Sequence, residues 1–389
     1  MTMAEGELAR AEIAFVRGAY VAPLPPPPGT TGAIGWMRAN LFSSVFNSIL
    51  TVVMLVFVVW LGVEIVNFLI RDAVWTGADR AACIVSPEHP RVGACWPFVW
   101  ERLNYFIYGS YPVAERWRVD IFFAMLAVGV VWILWLDSPR RDLAAGYFFV
   151  VLPICSFVLL HGMQTIGLPI VDTSLWGGVL VTIVVAAVGI VVSLPLGILL
   201  ALGRRSDMPA VRILSVIFIE FVRGVPLITV LFMASVMLPL FVPEDLSPDK
   251  LLRALIGIAL FASAYMAEVV RAGLQAIPRG QYEAGNALAL KYWQRMGLII
   301  LPQALRVTIP NIVNTTIGLF KDTTLVFIVG IFDLLKTIEA ARIDPKWASP
   351  VTSATGYAVG AIFYWVFCYS MSRYARHMET RLSAGRERR

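Results

Sequence analysis

The sequence contains little charge and few histidines. Aspartate, glutamate, lysine and arginine make up 15% of its 389 residues, and there are three histidines. A soluble domain carries about 25% charged residues, so this composition excludes an ordinary soluble protein of this length. His89, His161 and His377 are scattered along the chain and form no catalytic or metal-ligand pattern.

A phosphate-binding loop is also missing. No stretch combines spaced glycines with a lysine followed by serine or threonine, the pattern that cradles nucleotide phosphates. We therefore expect a chain with no catalytic residues, no metal site and no nucleotide of its own. If ATP drives the protein, another chain must hydrolyse it.

The sequence is instead rich in long apolar runs. Hydrophobic residues make up 58% of it, in blocks of roughly 17–25 residues, the length that spans a bilayer as a helix. Lipid offers the backbone no hydrogen-bond partner, so these blocks predict an all-α, polytopic helical membrane protein. The eight predicted spans are roughly Val45–Ile70, Ile121–Leu136, Gly146–Leu160, Trp176–Leu202, Val211–Phe241, Leu251–Val270, Thr308–Phe332 and Gly356–Ser372.

The loop charges predict the orientation. Arg140 and Arg141, Arg204 and Arg205, and the basic tail 374–389 fall on one side together with the N-terminus, which makes that side cytoplasmic. The net charge of +6 is thus accounted for by topology and does not indicate nucleic acid. We divide the chain into a cytoplasmic segment 1–43, an extension 44–172 with a long periplasmic loop 71–120, a core 173–373 and the tail.

Two cysteine pairs have different surroundings. Cys155 and Cys368 lie in spans and are interpreted as packing residues. Cys83 and Cys95 share the loop 71–120, where an oxidising compartment favours a disulfide; two free thiols are the alternative. They lack the spacing and histidine partners of a zinc site.

A polar stretch, Gly280–Pro302, separates two apolar spans. It predicts a short helix with Glu283 near its start, where a negative charge is favourable. Either this helix is a connector lying on lipid headgroups, or it binds a partner in water. Its small residues, Ala284, Gly285 and Ala289, would allow such a partner to approach closely.

The spacing within this stretch resembles a known pattern. Glu283-Ala284-Gly285, then Ala289, then Ile299-x-Leu301-Pro302 is similar to the cytoplasmic "EAA" loop of ABC importer permeases, E-A-A, three residues, G, nine residues, I-x-L-P. Gly285 replaces the second alanine and Ala289 the glycine. In that family the loop forms a coupling helix that sits in a cleft of the ATPase subunit.

Further segments extend the resemblance. Three of them, Glu220–Phe232, Ser263–Ala284 and Asn314–Leu334, resemble the polar amino-acid branch of the family, and the similarity covers about Trp176–Ser372. In the N-terminal half, segments such as Gly93–Gly109 look like the extra loop of the general L-amino-acid importers of alpha-proteobacteria, which use two different permease chains.

The resemblance implies a complete transport system. It implies a five-helix type I permease core in a bacterial inner membrane that moves L-amino acids by alternating access. Its expected partners are a periplasmic amino-acid-binding protein, an ABC ATPase dimer that binds ATP and Mg²⁺, and a second homologous permease chain; a second copy of this chain is the alternative. The competing interpretations are an ion-driven transporter, which would show inverted repeats, and a non-transporting scaffold.

Charged residues within the spans are candidates for function, because they are costly in lipid. Glu220 and Arg223 are three residues apart, as are Glu268 and Arg271, so each pair shares a helix face. Each pair is interpreted as a packing contact, as an arginine that reaches the headgroups, or as part of a substrate path or gate.

A second polar group lies in the seventh span. Lys321 and Asp322 are followed by Thr323 and Thr324, and together they are our candidates for a path that carries a zwitterion. In the fifth span, Gly224-Val225-Pro226 predicts unwound backbone that offers helix-end groups to the substrate.

Overall fold

The computed structural model describes residues 31–87, 90–135, 138, 140–243 and 247–387. Within these residues the secondary structure is helical, with four isolated β-bridges and no named strand. The predicted all-α class is confirmed. Of the predicted N-terminal segment 1–43, residues 1–30 lie outside the described part of the chain.

The α-helices follow one another along the chain through connections of different lengths. In chain order they are α1 (Gly32–Asn40), α2 (Val45–Val66), α3 (Trp96–Tyr108), α4 (Arg116–Leu134), α5 (Arg141–Gly146), α6 (Leu152–His161), α7 (Gly178–Arg204), α8 (Pro209–Gly224), α9 (Leu227–Phe232), α10 (Lys250–Gln275), α11 (Arg279–Ala287), α12 (Tyr292–Arg295), α13 (Leu301–Asp322), α14 (Leu334–Ala341) and α15 (Pro350–Glu387).

The number of membrane spans agrees with the sequence. In the part of the chain that the structure describes, seven helical segments are long and apolar enough to cross a bilayer, and a bent pair, counted as one span, makes eight. This pair occupies the fifth span that we predicted over Val211–Phe241: Pro209–Gly224 and Leu227–Leu240 meet at 105°. Pro226 causes the break, because it lacks an N–H and disfavours helix at Val225 before it. The unwound backbone predicted here is therefore present.

Two spans are longer than predicted. The seventh runs from Tyr292 to Val329 rather than from Thr308 to Phe332, through a π-turn at Met296–Ile300 and a 3₁₀ segment at Thr323–Val329. The second half of the stretch Gly280–Pro302 is thus the start of a span. The last helix, α15, continues to Glu387, because the tail contains good helix formers that prolong the helix after the apolar run has ended.

The chain forms two compact units, 1–68 and 69–389. In the first unit, α2 is a 22-residue apolar helix that is capped by Ser44, whose hydroxyl accepts a hydrogen bond from the N–H of Asn47. None of its residues is buried. Its surface is therefore suited to contact with lipid along its whole length.

In the second unit, three spans pack tightly near the stretch Gly280–Pro302. A Cβ on Gly197 of α7 would lie 2.7 Å from Cβ of Met266 on α10, and a Cβ on Gly273 of α10 would lie 2.7 Å from the carbonyl oxygen of Ala304 on α13. Small residues of this kind let helix backbones approach closely in a membrane. This end of the bundle, called the loop end below, is a rigid support.

The opposite end contains the long loop 71–120. Part of it is ordered as α3, which packs against α7, α14 and α15. The N–H of Gly178 donates to the carbonyl oxygen of Phe332 at 2.9 Å, and Asp333 caps α14 through the N–H groups of Leu335 and Lys336. The loop is therefore a structural part of the second unit.

Candidate functional site

The polar stretch begins as a separate helix. Pro278 ends the turn after α10, and α11 starts at Arg279. Glu283 is exposed on α11, as expected for a surface residue. The side-chain amide of Gln303 donates to Oε1 of Gln281 at 3.2 Å, which ties α11 to the beginning of α13.

A tight turn closes α11. The N–H of Leu290 donates to the carbonyl oxygen of Gly285 at 3.2 Å, and the N–H of Ala289 donates to that of Asn286 at 2.9 Å. This hydrogen-bond pair is a Schellman motif, whose C′ residue takes the left-handed conformation. Ala289 fills that position with φ of 52°. The family pattern has glycine here, which adopts this conformation without steric cost.

Gly285 is buried within the chain itself. A Cβ at this position would lie 2.8 Å from Cγ and 2.9 Å from Cδ of Arg295. The sequence had suggested that Gly285 is small so that a partner can approach. The structure corrects this reason, since the turn at Ala289 brings Arg295 of α12 across Gly285.

The free face of α11 is partly apolar. Ala284 is exposed, and Leu288, four residues later, has an exposed fraction of 70%. These positions share a helix face. At the end of the motif, Leu301 packs against the core cluster of α7 and α10, whereas Pro302 lies exposed in the first turn of α13. Ala284 and Leu288 therefore form a small surface that is suited to contact with another protein.

Tyr282 anchors the other face of α11. Its hydroxyl donates to the carbonyl oxygen of Leu274 on α10 at 3.1 Å. Nη1 of Arg205 donates to the same hydroxyl at 3.1 Å, and its guanidinium lies 5.5 Å from the centre of the tyrosine ring. The helix is thus attached to the ends of both α7 and α10.

A cluster of ion pairs lies beside this anchor. Nη1 of Arg204 contacts Oε1 of Glu220 at 2.7 Å and Oε1 of Glu268 at 2.9 Å. The other carboxylate oxygen of Glu268 contacts Arg271 at 2.8 Å and Arg223 at 3.7 Å. These five side chains, called the arginine–glutamate cluster, connect α7, α8 and α10.

The cluster changes the predicted pairing. Glu268 and Arg271 do pair along α10, but among the described residues no ion pair joins Glu220 to Arg223. Each of these residues instead contacts a different helix, because Arg204 comes between α8 and α10. The charges are thus neutralised by one another across helices, a contact that needs the tertiary structure.

The polar group of the seventh span lies where α13 ends. Lys321 is exposed and Asp322 is half-buried, and no ion pair joins them in the described part of the chain. Adjacent helical residues do not face each other, which explains the separation. The hydroxyls of Thr323 and Thr324 donate to the carbonyl oxygens three residues earlier at 2.8 and 3.0 Å. They mark the change from α-helix to 3₁₀ helix.

The two loop cysteines are joined in the structure. Cys83 and Cys95 form a disulfide with Cα atoms 5.7 Å apart, and both residues are buried. The N–H of Cys95 donates to the hydroxyl of Thr355 on α15 at 2.9 Å. The disulfide therefore lies where the long loop meets the core.

Comparison with known proteins identifies the family. Residues 193–384 match the family described as the binding-protein-dependent transport system inner membrane component. The inner membrane amino-acid ABC transporter permease protein YhdY of Escherichia coli (strain K12) is 50% identical over 368 residues, 94% of this chain and 97% of that protein. The chain belongs to this family of transport components. The permease is also 41% identical to the glutamate/glutamine/aspartate/asparagine transport system permease protein BztC of Rhodobacter capsulatus, over 95% of this chain and 98% of that one.

A solved structure gives a partial match. The crystal structure of an amino acid ABC transporter with histidines has 25% sequence identity to the permease and a TM-score of 0.46, and the match covers 52% of the permease and 92% of that chain.

Four residues of the site were missed from the sequence. Arg204 and Arg205 were used only to orient the loops, and neither Tyr282 nor Arg295 was singled out. The turn between α7 and α8 is short, so the two helices form a hairpin that brings Arg204 close to α8. That hairpin was the available indication for the Arg204–Glu220 contact; nothing comparable indicated Arg295.

Proposed function

We propose that the permease is the membrane-spanning subunit of an ATP-driven importer of L-amino acids. The likeness to two proteins named for amino-acid transport carries this proposal, because it extends over more than nine-tenths of each chain and includes the N-terminal extension. The permease itself has no catalytic role in this scheme, and a separate subunit hydrolyses ATP.

Three partner proteins complete the importer. An ABC ATPase dimer, with its ATP and Mg²⁺, holds α11 in a cleft, and the exposed face of Ala284 and Leu288 supports this contact. A periplasmic binding protein delivers the amino acid. A second homologous permease chain completes the pathway, as a heterodimer, since five core spans alone do not enclose one.

The importer lies in a bacterial inner membrane, with the loop end of the bundle and both termini in the cytoplasm. The one-sided arginines, including Arg204 and Arg205, support this orientation. Transport proceeds by alternating access. The 105° bend after Gly224 supplies a joint between two rigid helix halves at which the pathway opens and closes.

The substrate path passes the end of α13. A zwitterionic amino acid carries a carboxylate and an ammonium group, and Lys321 and Asp322 offer a partner for each. Since these two side chains do not pair with each other in the described residues, both remain available. The hydroxyl oxygen of the half-buried Thr324 keeps acceptor capacity beside them, whereas Thr323 is buried.

Reconstitution tests the proposal. The permease, the ATPase, the second permease and the binding protein are placed in proteoliposomes, and uptake of labelled L-amino acids is measured with and without ATP at the ATPase side. We expect uptake only with ATP and with the loaded binding protein. Uptake that follows an ion gradient without ATP would show a secondary transporter, and no uptake under any condition would show a scaffold.

A further inference from the structure

Two neighbouring arginines at the end of α7 make contacts in different directions. Arg204 is the last residue of α7, and Arg205 follows it. The first contacts carboxylates of α8 and α10, and the second contacts Tyr282 of α11. These two adjacent residues therefore connect the arginine–glutamate cluster to the proposed coupling helix.

Arg204 bridges the carboxylates of Glu220 and Glu268. A single nitrogen, Nη1, lies 2.7 Å from Glu220 and 2.9 Å from Glu268. The side chain of Glu268 has an exposed fraction of 16%, so its ion pairs are shielded from water and are stronger than surface pairs. The cluster has three arginines and two glutamates, a net charge of +1; Glu268 contacts all three arginines, whereas the ion pair of Glu220 among the described residues is with Arg204.

The contacts of Arg205 form the other half of the link. Its guanidinium covers the ring of Tyr282 and donates to the hydroxyl, and this hydroxyl donates in turn to the carbonyl oxygen of Leu274. Tyr282 is thereby held from two helices at once. A displacement of α11 therefore acts directly on the ends of α7 and α10.

Helix α7 packs closely against α10 and α8. The close approach of Gly197 to Met266 fixes α7 against α10, and Gly203 faces the side chain of Ser215 on α8. Interfaces packed this closely do not deform continuously, so helices joined by them move together. The arginine contacts lie at the end of this packed region that is nearest to α11.

We propose that Arg204 and Arg205 are positioning residues for energy coupling. They connect the coupling helix to the ends of α8 and α10, so that movement of α11 becomes movement of the helices at the loop end of the pathway. The inference rests on the proposed function, since it requires an ATPase that moves α11. It assigns these arginines a role beyond orienting the chain in the membrane.

Arg204→Gln tests the bridge. The exposed face of α11 is unchanged, so we expect the ATPase to remain bound to the permease pair while amino-acid uptake per ATP hydrolysed falls by about tenfold, the range of a typical coupling between sites. Arg204→Lys should retain most of the coupling, because one ammonium can serve both carboxylates as Nη1 does. The matched control is Arg212→Gln. Arg212 is exposed on α8, and it has no ion pair within the described residues.

Two further variants keep the test decisive. Glu220→Gln and Arg205→Gln each remove one half of the link; Glu220 is 53% exposed, so folding is not at risk there. Both should lower uptake per ATP. The proposal is overturned if these variants and Arg204→Gln couple as well as Arg212→Gln does, or if they lose only ATPase binding. Absence of ATP-driven uptake in the unaltered complex would instead refute the proposed function.

Discussion

The side chain of Arg295 lies across Gly285, so that a Cβ on Gly285 would stand 2.8 Å from Cγ of Arg295. The contact packs α12 against α11 within a single chain. The small residues of the loop therefore have two different reasons to be small: Gly285 accommodates its own chain, whereas Ala284 is exposed and free to meet a partner.

Gly285→Ala should stabilise α11 by about 1 kcal/mol less than an unhindered helical Gly→Ala change, since the added volume forces the Arg295 side chain to move. Combining it with Arg295→Ala should remove most of that cost, because the clash disappears. The measurement is a double-mutant cycle on thermal unfolding in detergent. Additive effects of the two changes would contradict the contact.

Ala289→Gly should stabilise the same loop. Ala289 holds a left-handed conformation with φ of 52°, which costs an alanine about 1 kcal/mol that glycine does not incur. Hydrogen exchange of the α11 amides should slow accordingly. Ala287→Gly is the matched control: Ala287 is helical, so glycine there should speed exchange. Equal effects of the two substitutions would show that the left-handed turn is not formed.

The spans and the turn at Ala289 show which features of the fold the sequence could predict and which it could not. Hydrophobic runs predicted the spans, and Pro226 predicted the break in the fifth, because each depends on nearby residues alone. The motif spacing predicted where α11 lies. It did not predict the turn at Ala289, because sequence rules place glycine there, and so the contact of Arg295 with Gly285 stayed hidden.

The charged residues gave a similar result. Spacing along one helix predicted the pair Glu268–Arg271, which the structure has. It could not predict that Arg204 would bridge Glu220 and Glu268, because that contact depends on how α7 lies between α8 and α10. Pairs within a helix follow from the sequence, whereas pairs between helices require the packing.

Asp333 predicts a dependence of stability on pH. Burial, assisted by the nearby charge of Glu339, raises the pKa of its carboxyl from 3.8 to about 6, although the N–H groups of Leu335 and Lys336 oppose the shift. The folded state therefore binds the proton more tightly than the unfolded state. This tighter proton binding stabilises the folded state below about pH 4, and the stabilisation is lost as the pH rises through about 6.

Asp333→Asn should remove this dependence. Asparagine is an equally good helix cap, so the variant should match the wild type near pH 4 and exceed it well above pH 6 by about 3 kcal/mol. Thermal unfolding from pH 4 to 8 provides the comparison, with Asp333→Ala as the control that loses the cap at every pH. A constant difference between Asp333→Asn and the wild type would mean that Asp333 does not titrate in this range.

Ala284→Trp tests whether a partner protein binds α11. Ala284 is exposed, so a large side chain there leaves the packing of this chain intact and adds volume only to an external contact. We expect insertion into the membrane and thermal stability near normal, but strongly reduced retention of the ATPase on the purified permease pair and a matching fall in uptake.

Asn286→Trp is the control, because it lies on the other side of the buried Gly285 and is also exposed. A helix that merely lay on lipid would tolerate tryptophan at either position, since tryptophan favours the membrane interface. Normal ATPase retention with Ala284→Trp would therefore exclude a coupling contact on this face of α11.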